Sequence, residues 1–274
     1  MIDKLTRFTG RAGFYALHRP GYPDAVIGIL KKRAGWTPEA VVADIGAGTG
    51  ISSELFLRHG NTVWGVEPNA DMRAESAELQ SRYPQFQMRD GVAEATGLPG
   101  ATFDFVVSAT AFHWFNAERC RTEFARILRP SGGRVVLLWN LHQSPETPFV
   151  RAFELLSRRF GTQGRHCWGR ERHNIGNSAA KLFLDHKRYC KRYLENSERL
   201  DFEGLKGRLL SSAYVPLPGG DRFEPMVAEL RDLFERFAVD GFVELASQTA
   251  VYWGELPLTA SSTDPPAPQV SRLS

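Results

Sequence analysis

V-V-A-D-I-G-A-G-T-G, residues 41–50, is the stretch on which the reading of this chain turns. Val41 to Ile45 is an apolar, largely β-branched run that favours an extended strand. It gives way to Gly46, Gly48 and Gly50, alternating with Ala47 and Thr49. Glycines here let the backbone turn sharply and let a ligand lie against bare main chain. I-S-S-E-L-F-L-R-H-G (51–60) then reads as a helix closed by Gly60. Strand, glycine turn and helix in succession open a parallel α/β unit.

The pattern repeats on both sides. P-D-A-V-I-G-I-L-K-K-R-A (23–34) places Val26, Ile29 and Leu30 on one helical side, with Ile27 at its edge. Beyond the loop come a strand over 61–67, a helix over 69–83, a short strand over 86–91, a strand over 103–110, a helix over 118–130 and a strand over 133–140. Strands separated by helices need crossover connections, which predicts a doubly wound, Rossmann-like and mostly parallel sheet with helices on both faces. The unbroken apolar runs F-V-V and V-V-L-L-W suit strands buried on both sides. After residue 140 the rhythm changes: 148–160, 177–189, 203–214 and 223–238 read as helices, and 241–254 alternates as a strand. The expected organisation is an N-terminal lid segment with the first helix (1–34), a Rossmann-like core (35–140), a C-terminal part that completes the sheet and roofs the site (141–254), and a Pro/Ser/Thr-rich disordered tail (255–274).

Composition narrows the function. Among 274 residues, 34 Lys and Arg against 31 Asp and Glu leave +3, far from the dense basic stripe of a nucleic-acid binder. Cys120, Cys167 and Cys190 stand at irregular spacings without a C-x-x-C pair, which fits a reducing compartment and no disulfide framework. His166, Cys167 and His173 match no metal-ligand spacing, so no metal is expected. The first residues carry no signal-peptide core, and no apolar run approaches the length that spans a bilayer. A cytoplasmic protein without membrane or nucleic-acid partners is the expectation, as a monomer or homodimer.

The loop also discriminates between cofactors. A dinucleotide fingerprint would need a third glycine at position 51, where Ile51 stands. The spacing is instead D-x-G-x-G-x-G, with Asp44 two residues before the first glycine. A carboxylate there repels a pyrophosphate and suits a ligand carrying ammonium and sulfonium charges, namely S-adenosyl-L-methionine (SAM). Glu67 ends the next strand, about twenty residues on, where a carboxylate can accept ribose hydroxyls. Taken singly, Asp44 also reads as a helix cap and Glu67 as a solvated strand end.

With V-A-D-I-G-A-G-T-G (42–50), G-V-E-P-N (65–69), G-V-A-E-A-T-G-L-P-G-A-T-F-D (91–104), A-F-H-W-F (111–115) and L-R-P-S-G-G-R-V-V (128–136), the chain resembles the class I SAM-dependent methyltransferases. The likeness is to their type 11 group and its trans-aconitate methyltransferase-like branch, which F-T-G-R-A-G-F-Y-A-L-H-R-P-G-Y-P (8–23) and R-L-L-S-S-A-Y-V-P (208–216) also resemble, and runs from Phe8 to Tyr252. It implies a seven-stranded sheet and a SAM site on Asp44, Gly46, Ala47, Gly48 and Gly50, with Glu67 on the ribose and Pro68 and Asn69 flanking the adenine. Val92 and Ala93 fall at the adenine edge. Many relatives carry Asp where Val92 stands, so Asp90 or backbone groups would have to replace that contact. Thr110 and Ala111 would face the sulfonium end.

Methyl transfer is an in-line displacement in which the protein aligns the acceptor, excludes water and tolerates positive charge. Tyr15, Tyr22, Phe112 and Trp114 can present aromatic faces to a cation, or serve as core. Arg19 in H-R-P-G-Y-P can bind a carboxylate of SAM or of an acidic acceptor. His113 is the candidate general base for a hydroxyl acceptor, or a scaffold residue if the acceptor needs none. No N-P-P-Y or D-P-P-Y run of a base methyltransferase follows the fourth strand. The resemblance implies a small-molecule acceptor methylated on a carboxylate or hydroxyl oxygen, with nitrogen or carbon of a secondary metabolite, or a non-catalytic SAM-binding protein, as alternatives.

Overall fold

The computed structural model describes residues 9–142, 147–161, 170–184 and 189–256. Its main sheet is built from β1 (Val41–Ile45), β2 (Thr62–Val66), β3 (Phe86–Arg89), β4 (Phe105–Ala109), β5 (Arg134–His142), β6 (Cys190–Glu195) and β9 (Ser247–Gly254); β7 (Glu198–Leu200) and β8 (Val243–Leu245) form a separate pair. The seven strands lie in the order β3-β2-β1-β4-β5-β9-β6. All pairings from β3 through β5 are parallel, while β9 runs antiparallel to both neighbours. The chain winds outward from β1 to β3, then returns to place β4 on the other side of β1. Ligands of such sheets collect above the carboxyl ends at that reversal, and the 46–50 loop stands there.

Helices α1 (Ala12–His18), α2 (Ala25–Arg33), α3 (Ile51–Leu57), α4 (Ala70–Glu75), α5 (Ala77–Arg82), α6 (Ala117–Ile127), α7 (Pro148–Phe160), α8 (Arg170–Phe183), α9 (Phe202–Leu210) and α10 (Phe223–Phe237) complete the fold. β4 is buried at every position, as its two-faced apolar run requires. One face of the sheet packs Phe103, Trp139 and Tyr252 against Phe124 and Phe183; the other packs Val107, Val136 and Val251 with Leu30, Leu55 and Phe56. Phe153, Leu205, Leu209, Leu230 and Leu245 form a third apolar cluster, so α7, α9, α10 and β8 share a core beside the sheet.

Three sequence expectations are corrected. The helix expected over 69–83 breaks at Ser76, whose hydroxyl donates to the Arg73 carbonyl at 2.7 Å and competes with the helical ladder. The single strand expected over 241–254 divides at Ala246: Val243 and Leu245 turn into the third cluster as β8, and β9 begins at Ser247. The strand β6, C-K-R-Y-L-E, was not expected; it is a polar sheet edge, a composition that discourages pairing with another chain. His166 and Cys167, and residues 257–274 of the expected tail, lie outside the described residues. Glu255 approaches Arg134 at 3.7 Å, and Leu256 packs against the core.

Candidate functional site

The glycine loop is shaped by close contact. Gly46 has φ +72°, and a Cβ there would lie 2.6 Å from that of Ala111 and 3.1 Å from the Phe115 ring. The bare backbone of Gly46 lets the loop seat directly under the turn that follows β4. The Gly46 and Ala47 amides donate to the Val66 carbonyl at 2.8 and 3.1 Å, which locks the loop onto the end of β2.

Two carboxylates flank the loop. Glu67 accepts the Gly48 amide at 3.0 Å on one oxygen and the Asn69 amide at 2.9 Å on the other. Burial raises its pKa, opposed by those two amides and by Arg73. Asp44, at the end of β1, is wholly buried and accepts the hydroxyls of Ser52 and Ser53 at 2.7 Å each. Its Oδ1 has no hydrogen-bond partner, and burial pushes the carboxyl up to about 6 against the pull of the two serines.

The N-terminal segment crosses above the loop as a strap tied at several points. Arg11 donates to the carbonyls of Leu210, Ser212 and Val215 at the end of α9, at 3.4, 2.9 and 2.5 Å. The Leu210 carbonyl ends α9, where a cation is favoured, and those of Ser212 and Val215 lie in the chain just beyond it. Arg19 donates to the Ser211 carbonyl at 3.2 Å and stands over the Tyr15 ring at 5.0 Å. Asn140 Nδ2 reaches the carbonyls of Pro20 and Gly21 at 3.3 and 3.2 Å, and Asn196 reaches that of Gly21 at 2.9 Å. Tyr22 and Thr110 share a hydroxyl hydrogen bond of 3.1 Å. Thr110 has φ +55°, a left-handed backbone unusual for a β-branched residue. Burial raises the Tyr22 phenol far above its ordinary value, so it stays protonated.

These elements enclose a narrow cleft of about 40 Å³. Of the residues expected from sequence, Tyr15, Arg19, Gly46, Ala47, Gly48 and Thr110 line it, together with Tyr22. Asp44, Glu67 and Gly50 stand behind that lining, and Ala111 packs on Gly46. Asn69 caps α4 through a bond from the Met72 amide at 3.1 Å, with Pro68 just before it. Val92 lies on the turn after β3, and Ala93 is buried in the core; neither lines the cleft. Nor does His113, which sits on the single turn Phe112–Trp114 with its ring 4.5 Å from that of Trp114. Asn140 and Arg208 line the cleft and were missed by sequence reasoning. The polar interruption of an apolar strand, W-N-L, could have signalled Asn140; R-L-L-S-S-A-Y holds no mark that singles out Arg208.

A seven-stranded sheet of this order with a glycine loop at its reversal defines a Rossmann-like methyltransferase fold, and comparisons agree. The family described as "Methyltransferase domain" matches residues 43–137. A protein of Mycobacterium tuberculosis described as an uncharacterized methyltransferase is 36% identical over 138 residues, 50% of this chain and 54% of its own length. A methyltransferase-like protein of Schizosaccharomyces pombe is 27% identical over 158 residues, 57% of this chain and 60% of its own. The chain thus spans little more than half the length of these curated relatives. A candidate type II methyltransferase of Anaeromyxobacter dehalogenans has the same fold, with a TM-score of 0.63, 23% identity, and coverage of 87% of this chain and 99% of that one. Residues 43–137, which hold the glycine loop and β2 to β4, thus resemble a methyltransferase domain. The matches support that class and do not single out the trans-aconitate branch.

The residues present fit SAM. The bare Gly46 backbone borders the cleft, and a buried carboxylate oxygen of Asp44 lies behind it without a partner, as a cationic ligand requires. Among the described residues no group of His, Cys, Asp and Glu could hold a metal ion, and no helix is long and apolar enough to cross a membrane.

Proposed function

We propose that this chain is a SAM-dependent methyltransferase acting on a small-molecule acceptor, through O-methylation of a carboxylate or hydroxyl. One observation carries the reading: the glycine loop, backed by Asp44 and Glu67, shares a cleft with Tyr15, Arg19 and Tyr22 of the N-terminal strap. When bound, SAM supplies an activated methyl group together with its own leaving group. Asp44 and Glu67 provide negative charge behind the loop, and the two tyrosine rings offer their faces to a cation. Arg19 offers a guanidinium to a carboxylate. Residues 1–34 serve as lid, 35–140 as cofactor core and 141–254 as acceptor roof. The strap that walls this narrow cleft would close over bound SAM and exclude water.

Titration calorimetry with SAM tests the cofactor, and a screen that reads S-adenosylhomocysteine release tests turnover. Glu67→Ala should weaken SAM by about 1–3 kcal/mol through lost hydrogen bonds to a charged acceptor, with the melting temperature as control. Equal affinity in the variant moves the ribose contact elsewhere; no SAM binding by the wild type overturns the reading.

A further inference from the structure

The cleft at the glycine loop is small, and one ion pair links its wall to that of a roomier cavity of about 520 Å³. That cavity lies between the N-terminus of α7, the C-terminus of α10 and the β7–β8 pair, with Phe149, Phe237, Val239, Phe242 and Val243 among its walls. Glu198 also lines it, and accepts Arg208 Nε at 3.3 Å. Arg208 in turn lines the glycine-loop cleft. One ion pair, its side chains 9% and 18% exposed, therefore joins a wall of each space.

The cavity has apolar walls with charged groups, Glu198, Arg199, Asp240 and Glu244, set among them. The rings of Phe149 and Phe237 lie 5.8 Å apart, and the Arg199 guanidinium sits 4.3 Å above Phe242. Val239 is 71% exposed and Phe242 38% exposed at its mouth. Apolar groups kept in water around a concavity of this size mark a ligand site, since small-molecule pockets run from about 300 to 1,000 Å³ with mainly apolar walls. An acceptor lying there would need only a polar end to pass the Arg208–Glu198 pair and enter the cleft.

We infer that this cavity receives the apolar body of the methyl acceptor, which is accordingly an amphipathic molecule: an aliphatic or similar apolar chain ending in a carboxylate or hydroxyl. Arg208 stands where that polar end passes, with Glu198 holding its guanidinium when no acceptor is bound. The inference rests on the methyltransferase reading for the reaction, but the cavity's preference can be measured without turnover.

The test is calorimetric binding of straight-chain carboxylic acids and alcohols, from four to twelve carbons and below micelle-forming concentrations, with S-adenosylhomocysteine present and absent. Affinity should rise about fourfold for each methylene buried, until the cavity is filled. Phe242→Asp should flatten that slope, whereas Phe242→Leu should keep most of it; melting curves verify that both variants fold. Equal affinity across chain lengths, no binding of either series, or an unchanged slope in Phe242→Asp overturns the inference and leaves this face to some other partner. A chain-length slope in a protein that binds no SAM would support the cavity while defeating the methyltransferase reading. SAM binding and turnover of short acids without any slope would do the reverse.

Discussion

Asp44 should make this protein less stable as pH rises through the mildly acidic range, against the usual behaviour of carboxylates in folded proteins. Its carboxyl is wholly buried, and burial lifts it from 3.8 to about 6 even with two serine hydroxyls donating to it. A folded-state pKa above the unfolded one means that the native chain holds the proton more tightly. The group's contribution is thus fully present below about pH 4 and is lost as pH rises through about 6. At 1.36 kcal/mol for each pKa unit, the difference amounts to about 3 kcal/mol.

The perturbation is Asp44→Asn, which keeps the shape and an acceptor for Ser52 and Ser53 but cannot ionise. Urea unfolding of wild type and variant at matched pH values between 4 and 7.5 isolates this group, because every other titration appears in both chains. The wild-type free energy minus that of the variant should fall by about 3 kcal/mol across the range, most steeply between pH 4 and 6. A cationic ligand in the neighbouring cleft favours the ionised form, so SAM binding near pH 6 should release protons in the wild type and fewer in the variant. A stability difference that stays flat or grows with pH would refute the reasoning, for Asp44 would then be charged in the folded protein at low cost.

Two further outcomes follow from the loop and the strap. Gly46→Ala should destabilise by about 1–3 kcal/mol and abolish SAM binding, while Gly97→Ala, at φ +68° but with nothing within 4 Å, should show only the cost of its left-handed backbone; equal melting temperatures would mean that contact with Ala111 is unimportant. Asn140→Ala should speed hydrogen exchange in residues 12–22 more than in β5, since both strap carbonyls lose a donor, and S-adenosylhomocysteine should slow that exchange in the wild type. Unchanged exchange in the strap would show that Asn140 does not hold it.

The core of the fold was legible because its information is local. V-V-A-D-I followed by three alternating glycines announces a strand end and a turn within ten residues, and F-V-V and V-V-L-L-W announce strands buried on two faces. The strap was not legible as a helix, because A-G-F-Y-A-L-H carries a glycine and no apolar stripe. What holds α1 is distant in sequence: Arg11 bonds carbonyls about two hundred positions away, and His18 sits flush on the bare backbone of Gly207. The break at Ser76 escaped notice for the opposite reason, a single side-chain hydrogen bond too local to disturb the pattern.

The same division runs through the site. Gly46, Ala47, Gly48 and Glu67 belong to one β1–α3–β2 unit, whose geometry follows from its own residues once the sheet forms. Arg208 and Asn140 reach the cleft only because α9 and β5 are carried there by packing elsewhere. Under the proposed function, cofactor contacts would therefore sit where local sequence dictates structure, and acceptor contacts where tertiary packing does. The covering elements are also tied to one another: Arg11 and Arg19 bond the end of α9, the helix that carries Arg208. Lifting the strap to admit SAM must either break those bonds or take the end of α9 with it. In the second case Arg208 would move relative to Glu198, which would couple cofactor entry to the ion pair beside the inferred acceptor cavity.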